Sequence, residues 1–232
     1  MKYRTYPKTA ITVSEVGFGL WTTSTGWWGE MSDADAVKML QAAYDMGITL
    51  FDAADTYGNG RSEEQLAAAF AGKRDKVVYS TKFGYDFYNF TGERKGQSEL
   101  PADFSEKHVR FALEQSLKRL RTDYIDIWQM HNAHLDQVRD DRLWDLLEEL
   151  REEGKIRSYG VALGPAIGWL DEGLVALRER PIAAMQIIYN LLEQEPGRSF
   201  VPAAVKRNVG LLVRVPHSSG LLEGKFTLET SF

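Results

Sequence analysis

Short apolar runs alternate with longer amphipathic stretches along this chain. The runs are VGFGLW (16–21), ITLFD (48–52), VVYSTK (77–82), YIDIWQMH (124–131), SYGVAL (158–163), AMQIIYN (184–190) and GLLVRV (210–215). Each has the length of a strand, and the stretches between them carry helical periodicity. After Ser105, the residues Val109, Leu113, Leu117 and Leu120 fall on one helical face. Leu143, Leu146, Leu147 and Leu150 do the same in the next segment, which Gly154 ends. Ser32 and Ser62 read as N-caps, and Ser62 with Gln65 has capping-box spacing.

Repeated strand–helix units at this spacing imply parallel strands joined by right-handed crossovers. An open doubly wound sheet and a (β/α)8 TIM barrel both fit that rhythm. A dinucleotide-binding sheet should show G-x-G-x-x-G after a strand, and GFGLW (17–21) lacks the third glycine. The expected fold is therefore a TIM barrel forming a single α/β domain over residues 1–232. The segment before the first run is expected to form a hairpin over the barrel floor. Seven strand–helix units are evident, whereas a closed barrel has eight strands, so the last unit is expected to be lacking from these residues. Residues 87–104 read as a long surface loop.

Composition narrows the function classes. With 232 residues, 44% of them hydrophobic, the chain can bury one sizeable core. A formal charge of −5 offers no basic surface, so no nucleic-acid partner is expected. The chain has no cysteine, which excludes disulfides, thiolate metal sites and cysteine nucleophiles and fits a reducing compartment. No stretch approaches the ~20 apolar residues of a membrane span. The expectation is a cytoplasmic protein with no membrane partner.

The chemistry lies where the runs end. Alternate residues of a strand share a face. Leu50 and Asp52 form one such set; Val78, Ser80 and Lys82 a second; Ile125, Ile127, Gln129 and His131 a third. The last polar residue of each set falls at the C-terminal rim, where barrel enzymes keep their active sites. Asp52, Lys82 and His131 should thus converge there, with Tyr57 reaching back from the loop that follows Asp52. A phenol is a poor acid at neutral pH, and a nearby ammonium favours its anion. A carboxylate can hold that ammonium charged, and an imidazole can orient a substrate oxygen. Such a set suits protonation of an oxygen that gains negative charge, as in carbonyl reduction. It includes no nucleophile and no complete metal site, so the hydride would come from a bound cofactor. His131, His134 and His217 are spaced too loosely to read as a metal site, and none is expected. Trp27 and Trp28 either wall a substrate pocket together with Tyr57 and His131 or pack as a rim cluster. The same two readings apply to Tyr85, Phe87, Tyr88 and Phe90.

At these residues the sequence resembles the aldo-keto reductases. FDAADTYGNGRSEE (51–64) is similar to the family signature around its catalytic Asp and Tyr. STKFG, IDIWQMHN, LEELREEGKIRSYGV and VPHSSGLLEGK resemble later family segments. The resemblance runs from about residue 11 to residue 226. It implies Tyr57 as general acid, Asp52 and Lys82 as its tuning pair, and His131 as the group that orients the carbonyl. It also implies an extended NADPH, less often NADH, over the rim. Gly19, Leu20, Trp21, Asp52, Gln186, Arg214, Pro216, Ser218 and Gly220 are the cofactor-contact positions that follow. Three positions depart from the family pattern: Ala162 and Leu163 stand where a Ser and an Asn are usual, and Arg214 where an aromatic often stacks. The family's grip on the 2′-phosphate lies beyond residue 232, so NADP is the family default and NAD the alternative. Potassium-channel beta subunits also resemble this family, and a cofactor-binding redox-sensing or regulatory protein is the alternative function. Oligomeric state is not legible.

Overall fold

The computed structural model describes residues 1–92, 99–165, 169–227 and 229–231. Part of the loop expected at 87–104, namely 93–98, lies outside the described residues. The apolar runs become a curled parallel sheet of seven strands: β3 (Gly17–Gly19), β4 (Leu50–Asp52), β5 (Val78–Phe83), β6 (Ile127–His131), β7 (Tyr159–Ala162), β8 (Ala184–Ile188) and β9 (Gly210–Arg214). Spatial order equals chain order, each strand pairing with the next. That is the winding of a (β/α)8 barrel, with helices filling the crossovers. They are α1 (Trp21–Thr25), α2 (Asp33–Asp45), α3 (Arg61–Ala69), α4 (Glu106–Leu120), α5 (Leu135–Arg139), α6 (Asp141–Glu152), α7 (Leu170–Glu179) and α8 (Gly197–Arg207). No helix among the described residues is long and apolar enough to cross a membrane.

Two apolar layers result from the alternation of each strand. Outward residues such as Phe51, Tyr79, Trp128, Met130, Val161 and Met185 pack under the helices. The leucine faces of α4 and α6 close on them: Val109, Leu113 and Leu120, then Leu143, Leu147 and Leu150. Inward residues Leu50, Val78, Ile127 and Ala184 fill the lower barrel. The antiparallel hairpin β1 (Tyr3–Thr5) and β2 (Thr12–Ser14) plugs the floor, inserting Tyr6, Ile11 and Val13 against that inner set. Burial raises the Tyr6 phenol pKa, and the negative charge of Asp52 adds to it. The inner axis therefore runs from an apolar floor to a polar rim.

Serine caps two of the helix starts, and a third serine expected to cap does not. Ser32 caps α2 and Ser105 caps α4, each accepting from a backbone amide three residues on. Ser62 does not cap. Gly60 takes the N-cap of α3 in a left-handed conformation, and Ser62 lies within the first turn. Its hydroxyl turns back to donate to Ala54 O at 2.8 Å. Gln65 pairs with Thr23 and Asp33 rather than closing a capping box. The loop after β4 is tighter than the Ser62–Gln65 spacing suggests.

Candidate active site

Register decides which side chains meet at the C-terminal rim. Asp52 lies opposite Ser80, Lys82 opposite Gln129, His131 opposite Ala162, and Ala162 opposite Gln186. Partners in a parallel ladder share a face, so Asp52, Ser80, Lys82, Gln129, His131 and Gln186 all point inward. Asp52 is their hub. Its Oδ2 accepts from Lys82 Nζ at 2.8 Å and from Gln186 Nε2 at 2.9 Å. Its Oδ1 accepts from Ser80 Oγ at 2.8 Å. Gln129 Nε2 donates to that same serine oxygen at 2.9 Å. Lys82 Nζ also donates to Ala53 O at 2.6 Å.

The Lys82–Asp52 pair sits at the boundary of the interior, with side chains 1% and 14% exposed. Burial alone would lower the lysine pKa, but the attraction of Asp52, then of Tyr57, outweighs it and the net shift is upward. Arg214 opposes this weakly. An unfolded lysine titrates near ~10.4. Its raised folded value means the pair's contribution to stability is full at neutral pH and is lost only as pH climbs through the alkaline range.

Tyr57 hangs over this pair from the β4–α3 loop. The ammonium lies 4.9 Å from its ring centroid, within cation–π range. Its ring meets His131 edge-on at 5.8 Å, and His131 meets Tyr85 at 5.1 Å. Asn132 Nδ2 donates to the Tyr85 hydroxyl at 2.9 Å. The structure thus brings Asp52, Tyr57, Lys82 and His131 together at successive strand ends. A phenol beside a locked ammonium, flanked by an imidazole, can deliver a proton to an oxygen held above it.

The other residues singled out by sequence surround this cluster. Leu20 is fully buried, and its amide donates to Asp52 O at 2.9 Å, tying the Gly19–Trp21 segment to β4. Trp21 stacks on Trp27 at 5.7 Å, while Trp27 and Trp28 stay largely exposed. Arg214 reaches from β9 to donate to Leu163 O at 2.9 Å, spanning the end of β8. Pro216 leads into a short turn at Ser218–Gly220. The amides of Ser218 and Gly220 donate within that turn, to Val215 O and to His217. His134 lies in the loop after β6 and stacks on Trp169 at 4.8 Å. Among the described residues no three His, Asp or Glu side chains gather as metal ligands.

A cavity of about 450 Å³ opens beside this region, outside the barrel axis. Leu163, Trp169, Ile187, Ile188, Leu192 and Phe200 line it, between the ends of β7 and β8 and helix α8. The Asp52 cluster does not line it. Sequence reasoning assigned no role to Ser80 or Gln129. Both belong to inward-facing sets one step below the rim, so the alternation that found Lys82 and His131 also contained them.

Comparison with known proteins agrees with this geometry. The family model described as "Aldo/keto reductase family" matches residues 15–232. The aldo-keto reductase YhdN of Bacillus subtilis is 34% identical over 235 residues, covering all of this chain and 67% of that protein. The holo form of aldo-keto reductase AKR11C1 from Bacillus halodurans superposes with a TM-score of 0.83 at 29% identity, over 100% of this chain and 72% of that one. The glycerol dehydrogenase AKR11B4 of Gluconobacter oxydans gives 0.82 at 32% identity, over 99% and 68%. A match over nearly the whole chain, on a barrel of the same winding, shows that this chain belongs to the aldo/keto reductase family.

Proposed function

We propose that this chain reduces an aldehyde or ketone to an alcohol with a nicotinamide donor, and that Tyr57 protonates the nascent alkoxide. NADPH is the expected donor and NADH the alternative. The observation that carries the reading is the Tyr57 ring set against an ammonium that Asp52 holds charged. The reduced nicotinamide supplies the hydride when bound; the chain's own groups do the rest. His131 faces Tyr57 and would hydrogen-bond the carbonyl oxygen, so that the phenol and imidazole grip one atom. As charge grows on that oxygen, Tyr57 gives its proton and Lys82 stabilises the phenolate left behind. Asp52 keeps Lys82 protonated throughout, and Ser80 and Gln186 hold Asp52 in place.

The donor set suits a nicotinamide dinucleotide. Gln186 offers a carboxamide at the inner rim, Arg214 a tethered cation, and Pro216–Gly220 a turn beyond β9. Ala162 and Leu163 bring no polar side chain, so contacts at the end of β7 would come from backbone groups and Gln186. Exposed Trp27 and Trp28 beside the rim favour an apolar or aromatic carbonyl.

Tryptophan-fluorescence titration with NADPH and NADH, followed by a carbonyl panel, tests the reading. Saturable quenching with turnover is expected. Quenching without turnover on any carbonyl would point instead to a cofactor-binding regulatory protein of the same fold.

A further inference from the structure

Behind the Tyr57 loop, on the outward side of the sheet, lies a second polar cluster that takes no part in the chemistry above. Glu63, in the first turn of α3, is fully buried. One of its carboxylate oxygens accepts from Thr81 Oγ1 at 2.7 Å, on the outer face of β5 between Ser80 and Lys82. The other accepts from Arg119 Nε at 2.7 Å, at the end of α4. Arg119 Nη2 donates to the Tyr88 hydroxyl at 2.9 Å and to Ser116 Oγ at 3.3 Å. A buried ion pair is a weak device for stability, because desolvation offsets most of its attraction. Its value lies more in fixing one arrangement of the elements it joins.

What Arg119 joins is specific. The β4–α3 loop carries Tyr57 and closes on itself: Tyr57 N donates to Ala54 O, and Ser62 N to Tyr57 O. Its exit, Gly60, has φ +97° and rests directly on the arginine. A Cβ there would fall 2.5 Å from Arg119 Cδ, so only glycine fits both the backbone and the contact. The opposite flank of the loop is equally tight, because a Cβ at Gly58 would lie 2.5 Å from Ser24 O. On its other side Arg119 holds Tyr88, whose loop after β5 also carries Tyr85 against His131. One guanidinium thus touches both loops that flank the proposed acid.

We propose that Arg119 and Glu63 are positioning residues for Tyr57, a buried clamp that fixes the Tyr57 and Tyr85 loops as one unit. This rests on the reading of Tyr57 as proton donor. The clamp acts through backbone placement: neither residue reaches the reacting atoms. A shift of about 1 Å in a reacting group costs as much as ~100-fold in rate, so loosening the clamp should appear in kcat.

The test compares Arg119→Lys and Tyr88→Phe with the wild-type chain, each first shown to be folded by circular dichroism. Arg119→Lys keeps the charge but loses the fork that bonds Glu63 and Tyr88 together. Tyr88→Phe removes one hydroxyl and is the milder change. Two readouts are taken well below Tm: amide hydrogen exchange in peptides covering 55–62 and 84–90, and steady-state kcat and KM. Arg119→Lys is expected to speed exchange in both peptides and to lower kcat roughly 10- to 100-fold, with the NADPH dissociation constant unchanged. Tyr88→Phe should do the same to a smaller extent. A folded Arg119→Lys chain with wild-type exchange, or with faster exchange and unchanged kcat, would overturn the proposal. If the wild-type chain reduces no carbonyl at all, the catalytic reading fails on its own, and the exchange data still decide whether the clamp exists.

Discussion

Two multiply hydrogen-bonded aspartates sit at opposite ends of the same barrel, Asp126 buried and Asp52 at the edge of the interior. Asp126, just before β6 at the N-terminal face, accepts from Arg74 Nη2 at 2.7 Å, Arg157 Nη1 at 2.6 Å and the Tyr79 amide at 2.9 Å. Arg74 is itself fixed, donating to Val77 O and Tyr124 O and lying against the Tyr79 and Tyr124 rings. Asp52, at the C-terminal face, has a lysine, a serine and a glutamine for partners. Both carboxylates are well satisfied. They differ in the cation. Arginine cannot give up its proton in a protein and binds in a rigid fork, so the Asp126 node has one state and ties strand ends together. Lysine is a compact charge whose pKa answers to its surroundings, and here its other neighbour is a phenol. On the proposed reading of Tyr57, one residue type serves as a rivet at one end and as part of a proton device at the other. This matches the division of labour between the two faces of barrel enzymes.

Substitutions at the two ends should separate activity from stability. The largest effect is expected from Lys82→Met. It removes the ammonium beneath Tyr57 and should lower kcat by about 10²- to 10⁴-fold, while NADPH still quenches tryptophan fluorescence. A Lys82→Met chain with near wild-type kcat would break the contrast between the two cations. Next comes Asp126→Asn, which leaves two guanidiniums without their counter-charge. A loss of about 3 kcal/mol is expected, or roughly 6–12 °C in Tm for a chain of this size. The folded fraction should keep wild-type kcat. A fall in kcat without a fall in Tm would reverse the assignment.

A third aspartate sharpens the picture with a smaller effect of opposite sign. Asp55 is fully buried, and no side chain among the described residues hydrogen-bonds to its carboxyl group. Burial pushes its pKa well above the usual carboxylate range, and the nearby Glu63 charge pushes it further. In the unfolded chain it would titrate near ~3.9. The folded state therefore holds a proton that the unfolded state releases as pH rises past that value, and stability falls accordingly. Asp55→Asn should raise Tm at pH 8, by about 2–4 °C for each kcal/mol recovered. The gain should shrink as pH is brought down toward 4. Equal Tm values for the two chains at pH 8 would contradict a raised pKa for Asp55 in the folded state.

The parts of the molecule that sequence made legible are those governed by short repeats. Strand alternation placed Asp52, Lys82 and His131 on one face because a two-residue period leaves no other choice. The same rule covered Ser80 and Gln129, whose part became clear only once register set them opposite Asp52 and Lys82. The hairpin over the floor was legible as residues preceding the first run, but not that Tyr6 would reach deep enough to feel Asp52. Ser62 was misread because its local spacing suits a cap, whereas the tertiary path of the loop gives that place to Gly60. The Glu63–Arg119 pair was invisible for a plainer reason. Its members stand 56 residues apart on helices, where a charged residue normally reads as solvated, and only the packing of α3 on α4 brings them together, with Glu63 buried and Arg119 half-buried.

The central claim is that Tyr57 delivers the proton. Single-turnover reduction of a carbonyl by NADPH, in the wild-type and Tyr57→Phe chains at saturating cofactor, tests it most directly. The account predicts an unchanged NADPH dissociation constant and a chemical step slower by about 10²- to 10⁴-fold. A Tyr57→Phe chain that turns over as fast as wild type would contradict it and move the proton donor elsewhere in the site.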